Sequence, residues 1–193
     1  MSAEPGVRDR VLSAAAELFA RQGYDATSVA QVTERARVAK GGFYHHFASK
    51  QELLYAVYGD LITLQLERMN RILDEGRPAA ITLRALIDDL VETTAASSER
   101  ALVSFREIAR LDGERGAQLR SARRRYHDAV ITLVRQAQAD GAFARVASPE
   151  TITFTIFGVI NELPLWYRPD GAKTPARIAT ELADFVLAAL VVR

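Results

Sequence analysis

The sequence contains no cysteine, so disulfide bonds, thiolate chemistry and thiolate-bound metals are all excluded. Histidine is scarce: His45, His46 and His127 are the whole complement. Two of them are adjacent, diverge by ~100° on a helix and cannot share a metal ion, so no metal site is expected. No apolar run approaches the ~20 residues that a bilayer span needs. The polar stretch from Met1 to Arg10, with Glu4 and Asp9, lacks the apolar core of a signal peptide. These absences point to a cytoplasmic protein with no membrane partner. Charge of one sign is lacking too, since 25 basic and 24 acidic side chains leave a net +1. A chain that coats polyanions indiscriminately would carry far more.

What is present suits an ordinary globular protein: 193 residues, 49% hydrophobic and 25% charged, ample for a real core. Residues 1–50 hold seven basic and five acidic groups, the remaining 143 hold 18 and 19. That asymmetry is too small to argue for nucleic acid, so the placement of individual residues has to decide.

The periodicity is helical throughout, with no alternating strand pattern and no internal repeat. Val11, Leu12, Ala15, Leu18 and Phe19 recur at three- and four-residue intervals in a first helix, which Gly23 stops. Short helices near 28–36 and 39–46 follow, the first capped by Thr27 or Ser28. Ser49 opens a longer helix that reaches about Asp74, before Glu75-Gly76-Arg77-Pro78. Further helices are expected near 80–95, 99–111, 116–140, 149–166 and 174–191. Ser148-Pro149 and Thr174-Pro175 mark the last two starts as a cap followed by a first-turn proline. The chain reads as all-α with nine helices: a small module over residues 1–50 and a larger bundle over 51–193.

Thr27 to Lys50 is the informative stretch. Val29, Val32 and Ala36 share one face of the first short helix, and Phe43 and Phe47 one face of the second, with Val38 as a plug between them. Two short helices about a tight turn with a shared apolar seam make a helix-turn-helix. With Phe43 and Phe47 inside, the 100° step turns Gly41, Tyr44 and His45 outward, with Lys40 at the N-terminal end and Gly42 on the flank. Two glycines in so short a helix cost about 1 kcal/mol each relative to alanine. They suit a backbone that must approach another surface closely. Bare backbone beside a lysine, a phenol and an imidazole fits a DNA major groove, whose bases such helices read with their N-terminal residues. The helix N-terminus favours phosphate, and Lys50 and the Thr27 hydroxyl are candidates for further phosphate contacts. A pair of solvated helices with no DNA role remains the alternative.

The stretch Thr27-Ser28-Val29-Ala30 through Lys40-Gly41-Gly42-Phe43-Tyr44-His45-His46-Phe47-Ala48-Ser49-Lys50, preceded by Leu18-Phe19-Ala20 and Gly23-Tyr24, closely resembles the DNA-binding region of TetR-family transcriptional regulators. The resemblance covers about residues 7–55 at the level of motif, and the nine-helix layout extends it over the chain. It implies a TetR-like fold with a three-helix DNA-binding domain, and a homodimer that represses from a palindromic operator until a small-molecule inducer releases it. It also implies that Lys40, Gly41, Gly42, Tyr44, His45 and Lys50 contact DNA, with Thr27 and Ser28 assisting. Two positions depart from the family pattern. Arg37 stands where glycine is usual, losing the easy left-handed residue, and is a candidate for one more phosphate contact. Ala39 stands where serine or threonine is frequent, removing an N-cap worth ~1 kcal/mol.

In the bundle, the last two long helices are apolar over more than one face, which suits either burial on several sides or a four-helix dimer interface. Leu61, Leu64, Leu86, Leu90, Phe105, Tyr126, Phe157 and Trp166 are candidate pocket residues, with plain core as the alternative. Arg106, Asn161 and Glu162 interrupt apolar segments, and a buried polar group needs a partner. Arg123, in the run Arg120, Arg123, Arg124 and Arg125, could receive an anionic group at a pocket mouth; a solvated helix face is the other reading. Trp166-Tyr167-Arg168-Pro169-Asp170-Gly171 resembles a segment of the TetR-type regulators of fatty-acid, steroid or aromatic-acid degradation, which implies an acyl-CoA inducer. Apolar drug-like cations compete as a ligand class, and a helical adaptor binding only proteins competes as a function. No nucleophile-base set, phosphate-cradling loop or cofactor motif suggests an enzyme.

Overall fold

The computed structural model describes residues 6–107 and 110–191. Its helices are α1 (Val7–Gln22), α2 (Val29–Ala36), α3 (Lys40–His46), α4 (Lys50–Asp74), α5 (Ala79–Ala96), α6 (Ser98–Arg106), α7 (Gly113–Ala139), α8 (Pro149–Asn161), α9 (Leu163–Trp166) and α10 (Pro175–Leu190). Among the described residues there is no strand; an isolated bridge joins Phe143 to Val191. Among the described residues, no helix is long and apolar enough to cross a membrane.

The helix ends follow from local chemistry. The Gly23 amide, at φ 85°, donates to the Phe19 carbonyl and closes α1. Ser28, rather than Thr27, caps α2: its hydroxyl accepts from the Gln31 amide while the Gln31 side chain accepts from the Ser28 amide. Ser49 accepts from the Glu52 amide at 3.0 Å, and Glu52 in turn accepts from the Ala48 amide at 2.7 Å. Ser148 and Thr174 cap α8 and α10 ahead of their prolines.

The expected helix over 149–166 is interrupted. Pro164 has no amide hydrogen and its ring crowds the carbonyl four residues back, at Ile160, so α8 stops at Asn161 and α9 resumes for a single turn. With α9 taken as the continuation of α8, the nine expected helices account for every helix described. Helix α6 ends at Arg106, and the expected extension to 111 runs over 108–109, outside the described residues.

The chain forms two compact units. One comprises the described residues up to Leu61 with Glu99–Leu119, and the other Ile62–Ser98 with the described residues from Arg120 onward. The expected boundary at residue 50 thus falls inside the first unit. Side-chain bonds account for this: Arg115 pairs with Glu52 at 3.3 Å, Arg8 with Asp60 at 3.1 Å, and the Tyr55 hydroxyl donates to the Asp112 carbonyl at 2.9 Å. Within the first unit, α1 buries Val11, Leu12, Ala15, Leu18 and Phe19. The core of the second unit combines Leu83, Ile87 and Val91 of α5, Tyr126, Val130 and Val134 of α7, Ile156 and Ile160 of α8, and Ala183 and Leu187 of α10. Helix α5 packs most extensively on α10, with Arg84 and Asp184 paired at 2.5 Å.

Candidate nucleic-acid interface and bundle cavity

Helix α2 buries Val32 and Ala36, and α3 buries Phe43, whose ring lies 5.8 Å from that of buried Phe47. Burying each such side chain contributes roughly 1.5–3 kcal/mol, enough to hold a seven-residue helix that could not stand alone. The turn between them is left-handed at Arg37, with φ 54° and ψ 48°, and it is the only non-glycine residue with positive φ among those described. Its amide donates to the Glu34 carbonyl and that of Val38 to the Thr33 carbonyl. Ala39 gives α3 no side-chain cap. Both departures from the family pattern are thus visible in the local geometry.

The outward face of α3 is open. Tyr44 is 50% exposed, its ring set edge-on against Phe43 at 5.1 Å, and His45, Lys40 and Gly41 are exposed as well. A Cβ added at Gly41 would meet nothing within 4 Å, and one at Gly42 only Val7 Cγ1 at an ordinary 3.7 Å. The packing of this chain requires neither glycine. Alanine would fit both and favour the helix, so the bare backbone has no purpose inside the monomer's own fold.

Ser28 and Arg37 are exposed alongside this face. Thr27 and Lys50 differ. Thr27 is 1% exposed; its hydroxyl donates to the Gly23 carbonyl at 2.8 Å and accepts from Gln22. The Lys50 ammonium donates to the carbonyls of Tyr24 at 3.0 Å and Thr27 at 2.8 Å, and lies 4.3 Å from the centre of the Tyr24 ring. Both residues brace the α1–α2 loop from inside, where the sequence suggested phosphate contacts. Around this module, Arg35 pairs with Glu17 at 2.7 Å and Arg110 with Asp25 at 2.7 Å.

In the second unit, a void of ≈ 10 Å³ is lined by Leu83, Leu86, Ile87, Leu90, Tyr126, Val130, Ile156 and Phe157. Of the expected pocket residues, Leu86, Leu90, Tyr126 and Phe157 meet here, whereas Leu61 belongs to the first unit. Leu64, Arg123, Asn161 and Trp166 are outside its lining, and Trp166 is 48% exposed on α9. Phe105 and Arg106 belong to the first unit, where the Arg106 guanidinium donates to the Ala20 carbonyl at 3.5 Å. Asn161 and Glu162 mark where α8 ends, and Glu162 is exposed, so this pair needs no buried partner.

The second unit also holds buried polar atoms without partners. The Tyr126 hydroxyl, His127 Nε2, Thr153 Oγ1 and Asp89 Oδ2 are buried and find no hydrogen-bond partner among the described residues. Burial, with the Asp89 carboxylate second, raises the Tyr126 phenol well above its ordinary value, so it stays protonated. Burial and then Arg123 lower the His127 imidazole to about 4, leaving it neutral, stacked 4.0 Å from the Phe157 ring. Asp89 keeps one oxygen on Arg68 at 3.1 Å, yet burial still raises its carboxyl. Asp88 and Glu92 line a separate surface groove of ≈ 450 Å³ with Thr174 and Thr180. Sequence reasoning missed Asp89, His127 and Thr153; a carboxylate inside the apolar run Leu86-Ile87-Asp88-Asp89-Leu90 was the available signal.

Two family models match this chain. Residues 11–57 match the model of bacterial regulatory proteins of the tetR family, and residues 76–190 match the tetracyclin repressor-like C-terminal domain. The chain belongs to the tetR family. It is a DNA-binding transcriptional regulator, of a family of regulators rather than enzymes. Among tetR-family relatives, it is 26% identical over 187 residues to the HTH-type transcriptional repressor KstR2 of Rhodococcus jostii, covering 96% of this chain and 92% of that one. The structure of the ketosteroid regulator KstR2 of Mycobacterium tuberculosis superposes with a TM-score of 0.91 at 22% identity, covering 99% and 98% of the two chains. That of AibR in complex with isovaleryl coenzyme A and operator DNA gives a TM-score of 0.81 at 27% identity, covering 93% and 97%. Against this tetR-family frame, the open face of α3 is the candidate DNA-reading surface and the α5–α7–α8 void the candidate ligand chamber.

Proposed function

We propose that this protein is a ligand-responsive repressor that binds a palindromic operator as a homodimer in the cytoplasm, and that an acyl-CoA thioester releases it. The observation that carries the reading is the face of α3, where Lys40, Gly41, Tyr44 and His45 are exposed and both glycines lack any packing reason. On DNA, Gly41 and Gly42 let the helix backbone approach closely, Tyr44 and His45 reach the groove, and Lys40 and Arg37 neutralise phosphate. Ser28 adds a hydroxyl at the start of α2. Thr27 and Lys50 act indirectly, by fixing the loop that orients α2.

Dimerisation through α8 and α10 is favoured by the apolar side chains they leave in solvent: Phe185 is 76% exposed, Phe154 56% and Val159 40%. A two-fold pair would set its recognition helices roughly 34–36 Å apart, one DNA turn. The thioester class draws support from the isovaleryl-CoA complex of AibR and from the void's uncharged lining, which suits an acyl group better than a drug-like cation. Ligand weakens DNA binding only as far as it prefers a conformer that binds DNA poorly.

A mobility-shift titration on the DNA upstream of the protein's own gene tests the reading. The expected result is one sharp dimer complex, at least tenfold weaker for Tyr44→Ala, and dissolved by a member of an acyl-CoA panel. A Tyr44→Ala protein that shifts the operator as the parent does would remove α3 from the interface.

A further inference from the structure

Resting on the reading of the second unit as the ligand-binding part, we propose that the Tyr126 hydroxyl is the specificity-determining hydrogen-bond donor of the chamber. It selects ligands that carry one uncharged carbonyl or hydroxyl oxygen on the apolar portion buried between α5, α7 and α8. Tyr126 is 2% exposed, its ring lines the void, and its hydroxyl is unpartnered among the described residues. A buried hydroxyl without a partner is a cost that a stable core would shed by using phenylalanine. A water does not resolve it: at ≈ 10 Å³ the void is at the lower limit for one, and Tyr126 alone in its lining has a polar side chain, against the two to four partners a buried water takes.

The ligand chemistry follows from what surrounds the phenol. Leu83, Leu86, Leu90, Ile156 and Phe157 offer only apolar contact, so the buried portion of the ligand is apolar. No lining side chain is charged, and the phenol is protonated, so the matching group is a neutral acceptor rather than a carboxylate or an ammonium. Any ligand larger than a water requires the void to enlarge, and a swing of the Phe157 ring, edge-on to Tyr126 at 5.4 Å and stacked on His127 at 4.0 Å, would open it.

Titration calorimetry on the full-length protein with an isosteric pair, 2-acetylnaphthalene and 2-ethylnaphthalene, tests the proposal. The parent should bind the ketone about tenfold more tightly than the hydrocarbon, the worth of one buried hydrogen bond. Tyr126→Phe should erase that preference while raising the melting temperature of the unliganded protein by a few degrees, since it deletes an unpaired buried hydroxyl. A preference that survives in Tyr126→Phe, no preference in the parent, no binding of either probe, or a lower melting temperature for the variant each overturns the proposal. The measurement uses no DNA, so its failure leaves the operator-binding test standing.

Discussion

Two lysine-bearing and tyrosine-bearing regions of this molecule handle polar groups in opposite ways. In the loop joining α1 to α2, Thr27 and Lys50 spend their donors on backbone carbonyls at 2.8–3.0 Å. In the bundle, buried Tyr126 and Thr153 and half-buried His127 hold buried polar atoms that meet no partner among the described residues. The first arrangement fixes one geometry, which a surface that must match DNA requires. The second stores unpaired hydrogen-bonding capacity, which a chamber that must respond to a ligand can use. Rigidity and frustration thus mark the reading part and the sensing part of one chain.

The comparison is most severely tested by the two lysines of the DNA-binding module. Lys40 is exposed, whereas Lys50 holds carbonyls of the α1–α2 loop. Lys40→Ala should weaken operator binding evenly across sequences and flatten the salt dependence by about one unit of slope, with the melting temperature unmoved. Lys50→Met should cost about 2 kcal/mol of stability, because it strips charged donors from two carbonyls, and should leave the salt slope unchanged. Chemical denaturation together with binding titrations from low to high salt separates the two. A Lys50 variant with parental stability and a flatter slope would return Lys50 to the phosphate contacts.

Smaller effects sharpen the same contrast within the helix pair. Gly41→Ala should stabilise the fold by about 1 kcal/mol, as alanine favours a helix and nothing lies within 4 Å of the new Cβ, yet should weaken operator binding. Arg37→Gly should also stabilise, by about 1 kcal/mol, because it relieves a left-handed side-chain residue at φ 54°. Thermal melts and operator titrations on both variants show whether stability and binding part company at Gly41.

The effect that vanishes at neutral pH, and is therefore the smallest under ordinary conditions, lies at His127. Its folded value of about 4 is below the ordinary 6.5, so the neutral ring is the form the fold accepts. The contribution is fully present above pH 6.5 and is lost as pH falls through about 4, where the folded state must take up a proton that the unfolded chain already holds. Melting temperature should therefore fall on acidification over that window, and His127→Phe should flatten the fall. An unaltered acid limb in the variant would show that other groups dominate it.

Much of this was legible in the sequence because helices are local. The 100° step assigns Tyr44 and His45 to the face opposite Phe43, and Arg37 in a glycine position announces its own strain. Lys50 was not legible: its carbonyl partners lie 26 and 23 residues away, and nothing in the spacing says which way a flexible side chain turns. The break at Pro164 follows from ring geometry, although the apolar pattern runs on past it to Trp166. In the bundle, periodicity finds buried faces but cannot tell lining from packing. Leu90, Tyr126 and Phe157 share one void while Leu64 and Trp166 stand partly in solvent, and that division is set by contacts between distant helices.

The bare apolar edge of α10 has a further consequence for how the gene circuit would behave. If Phe185 is covered only when two copies meet, each subunit gains stability by mass action with its twin. At concentrations where most chains are solitary, promoter occupancy then scales with the square of protein abundance. Halving synthesis would then lower occupancy about fourfold rather than twofold.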